Sequence, residues 1–107
     1  MSELRDVTDQ TFAGEVLQSD VPVLVDFWGD HCPACVQISP ILKALATEYD
    51  GRLRILKLHA AENPSTSAKY GVRAMPTVLV FSGGKVVGQL VGARPKAAFV
   101  DAIDRVL

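Results

Sequence analysis

The sequence predicts an α/β fold in which a mixed central β-sheet is covered by helices on both faces, and three observations carry that prediction. Stretches rich in β-branched and large apolar residues alternate with stretches whose apolar residues recur at helical spacing. The run Val21 to Trp28 is apolar almost throughout, as in a central parallel strand buried on both sides. Towards the carboxyl end, two strand patterns meet at Ser82-Gly83-Gly84, a link short enough to specify an antiparallel hairpin.

The elements follow in order after an opening segment that reads as strand or coil. Thr8 and Asp9 are capping-type residues ahead of Phe12, Val16 and Leu17, whose spacing predicts a first helix from about Asp9 to Gln18. Ser19-Asp20 ends it, and the strand Val21 to Trp28 follows, with Asp26 as the anomaly inside an apolar run. After a pair of cysteines, Ile38, Ile41, Leu42, Leu45, Ala46 and Tyr49 define one face of a long amphipathic helix that runs to Asp50-Gly51. Pro40 interrupts its bonding ladder and predicts a kink. Leu53 to Leu58 reads as a strand, and Pro64 to Tyr70 as a short helix closed by Gly71. Thr77 to Phe81 and Lys85 to Val91 form the hairpin. Arg94-Pro95 opens a last helix that buries Phe99, Val100, Ile103 and Val106.

Composition narrows the function. A chain of 107 residues, 49% of them hydrophobic, has the size and core of a single domain spanning residues 1–107. A net charge of -1 with scattered basic residues argues against a nucleic-acid or anionic-membrane partner. No apolar run approaches a bilayer-spanning length, and the start Met1-Ser2-Glu3-Leu4-Arg5-Asp6 is polar, so a cytoplasmic protein is expected. A monomer without cofactor or bound metal is expected as well.

The two cysteines of the chain lie three apart, in Cys32-Pro33-Ala34-Cys35, between the central strand and the long helix. Two cysteines are too few for a disulfide scaffold, and in a reducing compartment a close pair points to catalysis or metal binding. The i,i+3 spacing at a helix start brings the two onto one face, within reach of a disulfide. Cys32 then sits where free amides and the positive end of the helix dipole favour a thiolate, and Cys35 lies deeper. One cysteine is placed to attack and the other to resolve.

Asp26, Trp28-Gly29, Cys32-x-x-Cys35, Pro40, Lys57, Asn63-Pro64, Lys69-Tyr70-Gly71-Val72-Arg73, Met75-Pro76-Thr77, Gly84 and Val91-Gly92 together resemble the thioredoxin family over nearly the whole chain. The resemblance implies the thioredoxin fold and thiol-disulfide exchange with disulfide-containing client proteins, with a flavoprotein thioredoxin reductase or another dedicated reductase as electron source. It also implies a cis Pro76 facing the dithiol and a Met75 backbone that pairs with an extended substrate segment. Ala74, Met75, Val91, Gly92 and Ala93 then form an apolar rim for that segment.

The chain departs from the family at the site itself. Typical thioredoxins carry Trp-Cys-Gly-Pro-Cys-Lys, and here the segment is His31-Cys32-Pro33-Ala34-Cys35-Val36, with Ala61 where an aspartate is usual. Proline directly after the first cysteine is similar to glutaredoxins and to periplasmic disulfide-forming oxidants. His31 beside the nucleophile can stabilise a thiolate by charge, or be an exposed loop residue. Pro33 costs no hydrogen bond in the first turn and leaves the early amides free for the Cys32 sulfur. These changes predict a stabilised reduced form and a more oxidising couple than in a Gly-Pro thioredoxin.

Asp26 has two readings. Desolvation in an apolar strand raises its pKa and lets it take the Cys35 proton, or it is a strand aspartate paired with Lys57. Lys57 is its expected partner, or a solvated lysine at a strand end. Trp28 reads as support for the active-site loop, and His59 as a satisfied or solvated strand residue. Two further functions compete with a disulfide oxidoreductase: delivery of a soft metal held by Cys32, Cys35 and His31, and redox sensing with one dedicated partner. A single cysteine pair supplies two of the four ligands a closed zinc site takes.

Overall fold

The computed structural model describes residues 4–107; Met1 to Glu3, part of the polar start read above, lie outside the described residues. Strands β1 (Arg5–Asp6), β2 (Val23–Trp28), β3 (Arg54–His59), β4 (Thr77–Ser82) and β5 (Lys85–Val91) form one sheet in the order β1-β3-β2-β4-β5. β3 runs parallel to both β1 and β2, while β4 is antiparallel to β2 and to β5. The sheet is therefore mixed, with β2 near its centre. Helices α1 (Pro33–Glu48), α2 (Pro64–Lys69) and α3 (Lys96–Asp104) complete the fold.

Period-two alternation along β2 sorts its side chains to opposite faces. Leu24 packs with Ile55, Val78 and Val80 against Ile38, Leu42 and Leu45 of α1 and Phe99 and Ile103 of α3. Val23, Val25 and Phe27 pack on the other face with Leu56, Leu58, Leu79 and Phe81, under Phe12, Val16 and Tyr70. Asp26 shares the Leu24 face, and so lies beneath the helix that begins at the cysteines. The long helix continues through Pro40. Pro40 and Val36 are both exposed, so solvent can serve the carbonyl that the missing amide leaves open.

The first helix differs from its expected span Asp9 to Gln18. It is a single π-helical turn, Ala13–Leu17, closed by the Gln18 amide donating to the Ala13 carbonyl at 3.0 Å. Of the two expected capping residues, Thr8 bonds locally, its hydroxyl accepting from the Thr11 amide at 3.3 Å, while Asp9 is used elsewhere. The Asp9 carboxylate accepts from the amides of Ser65 and Thr66 at 3.2 and 2.9 Å and from the Thr66 hydroxyl at 2.6 Å, and so caps α2 from a distant segment. Those bonds hold the Asp9 carboxyl below its ordinary range, the Thr66 hydroxyl foremost. Thr8 and Thr11 bond to each other in the preceding turn.

The hairpin turns on Gly83 and Gly84, whose φ values of 60° and 80° are those of a type I′ turn. A side chain at Gly84 would also bring its Cβ to 3.0 Å from the Leu17 carbonyl oxygen. A bulge follows, since Val80 pairs with Gly88 but Phe81 with Val86. No helix among the described residues is long and apolar enough to cross a membrane.

Candidate active site

The site forms where β2 hands the chain to α1. Cys32 is the N-cap of α1, with extended backbone, and Pro33 is the first helical residue, where its lack of an amide hydrogen costs nothing. Cys32 and Cys35 are joined as a disulfide with their Cα atoms 5.2 Å apart. The Cys35 amide donates to Cys32 Sγ at 3.1 Å, so the first sulfur occupies the position that an oxygen takes in an ordinary helix cap. Cys35 is 7% exposed, and Cys32 is partly exposed. His31 and Pro33 are exposed and Ala34 is half-buried.

His31 has φ of +53°, in the left-handed region that residues with a Cβ enter uncommonly. No glycine marks the position, so the sequence carries no signal for it. An open cavity of about 620 Å³ lies beside the disulfide, with walls formed by Trp28, Asp30, Pro33, Val36, Ser39 and Lys57 among others. Val36 is 72% exposed, an apolar residue on the outer wall that spacing alone did not single out. Ser39 was missed for the same reason.

Asp26 is 5% exposed and its Oδ1 makes no hydrogen bond among the described residues. Burial pushes its carboxyl up from the ordinary 3.8 to about 7, with Lys57 pulling the other way. The two are register partners across β2 and β3, yet the Lys57 ammonium lies 5.5 Å from the Trp28 ring centroid in a cation–π contact. Lys57 is thus shared between a carboxyl and an indole. The Trp28 Nε1 is buried and makes no hydrogen bond among the described residues.

The next rung of the same ladder pairs Trp28 with His59, whose rings meet edge to face at 4.6 Å. His59 is satisfied on both nitrogens: Nδ1 accepts from the Glu62 amide at 3.2 Å, and Nε2 lies 3.1 Å from Asp30 Oδ2. The Asp30 contact was not legible beforehand, because the pair is separated by 29 residues.

The expected substrate rim is drawn from two segments that the sheet holds side by side. Thr77 pairs with Val91, and the Gly92 amide donates to the Pro76 carbonyl at 2.9 Å. The Met75–Pro76 peptide bond is cis. Ala74, Met75, Val91 and Ala93 are exposed, Gly92 is half-buried, and Pro76 is buried. Met75 reaches the active-site loop, for a Cβ on Gly29 would lie 3.4 Å from its Cε. Among the described residues, no group of three or more His, Cys, Asp or Glu can hold a metal ion.

A dithiol at a helix N-terminus, with unequal sulfurs and a buried carboxyl beneath it, can exchange disulfides and manage the accompanying proton. Comparison with known proteins agrees. The thioredoxin family model matches residues 3–105. Over 97 residues, covering 91% of this chain and 90% of the relative, the chain is 53% identical to thioredoxin of Streptomyces clavuligerus. It is 42% identical over 105 residues to thioredoxin 1 of a Nostoc species, covering 98% of each chain. With thioredoxin 2 of Chlorobaculum tepidum the identity is 46% over 99 residues, covering 92% of this chain and 91% of the relative.

Proposed function

The chain belongs to the thioredoxin family and is a thiol-disulfide oxidoreductase, and from that premise we propose how its residues divide the reaction and which way the couple is biased. In the reducing direction, the Cys32 thiolate attacks one sulfur of a client disulfide. A Cys32–client bond forms, the client bond breaks, and the second client sulfur leaves as a thiolate and takes a proton. Asp26 then accepts the Cys35 proton, and the Cys35 thiolate attacks Cys32 Sγ. The Cys32–Cys35 disulfide forms and the first client sulfur departs with the electron pair. Two electrons have passed from the dithiol to the client, and a thioredoxin reductase or another dedicated reductase returns them.

The observation that carries this division of labour is the placing of a partly exposed Cys32 and a buried Cys35 in the first turn of α1, on the sheet face that also buries Asp26. The Cys35 amide stabilises negative charge on Cys32 through the contact it already makes. An Asp26 carboxyl at about 7 exchanges protons at neutral pH, which an ordinary aspartate does poorly. Lys57 moderates that value, and Trp28 supports the loop. Ala74, Met75 and Pro76 with Val91, Gly92 and Ala93 receive an extended client segment, the Met75 backbone pairing with it.

His31 and the Pro33-Ala34 dipeptide stabilise the ionised dithiol, making this couple more oxidising than that of a Gly-Pro thioredoxin. The unit is the single domain 1–107, acting as a cytoplasmic monomer without cofactor. Reduction of a protein disulfide by the dithiol tests the assignment. Cys32→Ser abolishes turnover, and Cys35→Ser accumulates a mixed disulfide between Cys32 and the client. Turnover surviving in Cys32→Ser, or trapping on Cys35 instead, contradicts it.

A further inference from the structure

The β2–β3 register stacks three pairs towards the active site: Leu24 with Ile55, Asp26 with Lys57, and Trp28 with His59. His59 is the last rung, at the carboxyl ends of two parallel strands, where open α/β sheets place their chemistry. Its side chain is 11% exposed, against 69% for the Asp30 it contacts. Because Nδ1 accepts the Glu62 amide, the remaining proton of the neutral ring sits on Nε2 and is donated to Asp30 Oδ2 at 3.1 Å.

Asp30 is followed directly by His31 in its left-handed conformation and then by Cys32. Among the described residues of the loop 29–31, this is the one side-chain hydrogen bond, and it ties the loop to the end of β3. The surroundings of His59 are acidic. Asp6, Asp30 and Glu62 border a cavity of about 330 Å³ with it, Glu62 Oε1 lies 4.0 Å from Nδ1, and the cation facing the rung from β3 is Lys57 over Trp28. A carboxylate two residues before Cys32 opposes a thiolate there, and a donor on that carboxylate reduces the opposition.

We propose that His59 is a positioning residue of the exchange reaction, which through its bond to Asp30 both fixes the loop that delivers Cys32 and offsets the Asp30 charge bearing on the thiolate. The inference rests on Cys32 being the nucleophile. His59→Phe keeps an aromatic edge on Trp28 and removes the donor. The alkylation rate of Cys32 in the reduced protein, followed against pH, then has its midpoint raised by roughly 0.3 to 1 pH unit, a two- to tenfold change in ionisation. In an Asp30→Ala background the same His59 substitution leaves the midpoint where it was. Asp30→Asn, an exposed change that retains an acceptor for His59, lowers the midpoint, and serves as the test should His59→Phe fail to fold.

An unchanged midpoint in His59→Phe, an equal shift in both backgrounds, or an unchanged midpoint in Asp30→Asn overturns the proposal, and a fall in Tm alone is such an outcome. Failure of the underlying assignment is distinguishable, because it shows in the unsubstituted protein as alkylation of Cys35 ahead of Cys32.

Discussion

Replacing Asp26 with asparagine removes a charge from the core while keeping the side-chain volume, and its effect on stability is set by pH. The carboxyl is 3.8 when free in water and about 7 in the folded protein. Between those values the folded state holds a proton that the unfolded state has released, so wild-type stability falls as pH rises. At about 1.36 kcal/mol per pH unit, the gap corresponds to about 4 kcal/mol lost by Asp26 between pH 3 and pH 8. The penalty is absent below 3.8 and complete above about 7. Asparagine carries no such penalty, but its buried amide is left without partners at a cost of about 1–3 kcal/mol at every pH. The pH slope is therefore the readout, and the absolute stability at one pH is not. Urea unfolding of the oxidised proteins at intervals from pH 3 to 8 gives it directly. The difference between Asp26→Asn and wild type grows in favour of the variant by about 4 kcal/mol over that range. Parallel curves for the two proteins refute the argument that burial has raised this carboxyl.

Pro33→Gly combined with Ala34→Pro restores the dipeptide of an ordinary thioredoxin and lowers the reduction potential by about 30 mV, a tenfold change in the equilibrium constant, measured in a thiol redox buffer. Gly84→Ala forces a Cβ against the Leu17 carbonyl at a φ of +80°, and equilibrium unfolding records a loss of about 1–3 kcal/mol. Asp9→Ala uncaps α2, so the Thr66 amide exchanges faster with deuterated solvent. In the unsubstituted protein the same protection is lost as pH falls through the lowered Asp9 value, because a protonated carboxyl no longer accepts both amides.

What the sequence made legible was local. Apolar periodicity located β2 to β5 and α1 to within a few residues, the Gly83-Gly84 pair announced the hairpin, and the cysteine spacing announced the dithiol. Asp26 stood out because a lone acid in an apolar run has to answer for its burial. The rest depends on contacts between distant segments. Asp9 reads as the cap of the helix that follows it, and only the fold turns it towards Ser65 and Thr66. The expected first helix contracts to Ala13–Leu17 beside that diverted carboxylate. His59 and Asp30 are each ordinary alone, and the parallel register of β2 and β3 makes them a pair. Lys57 was expected at Asp26, and the same register adds the Trp28 ring as a second partner. The left-handed His31 had no glycine to announce it.

On the proposed function, a thioredoxin scaffold carries a reversible Cys32–Cys35 couple biased towards its reduced, ionised form. The equilibrium reduction potential tests it most directly, measured by incubating the protein across a series of thiol–disulfide ratios and quantifying the free cysteines. A couple so biased shows one two-electron transition at a potential less negative than the value of about −270 mV typical of thioredoxin. A transition at or below that value contradicts the bias, and the absence of any two-electron transition contradicts the couple itself.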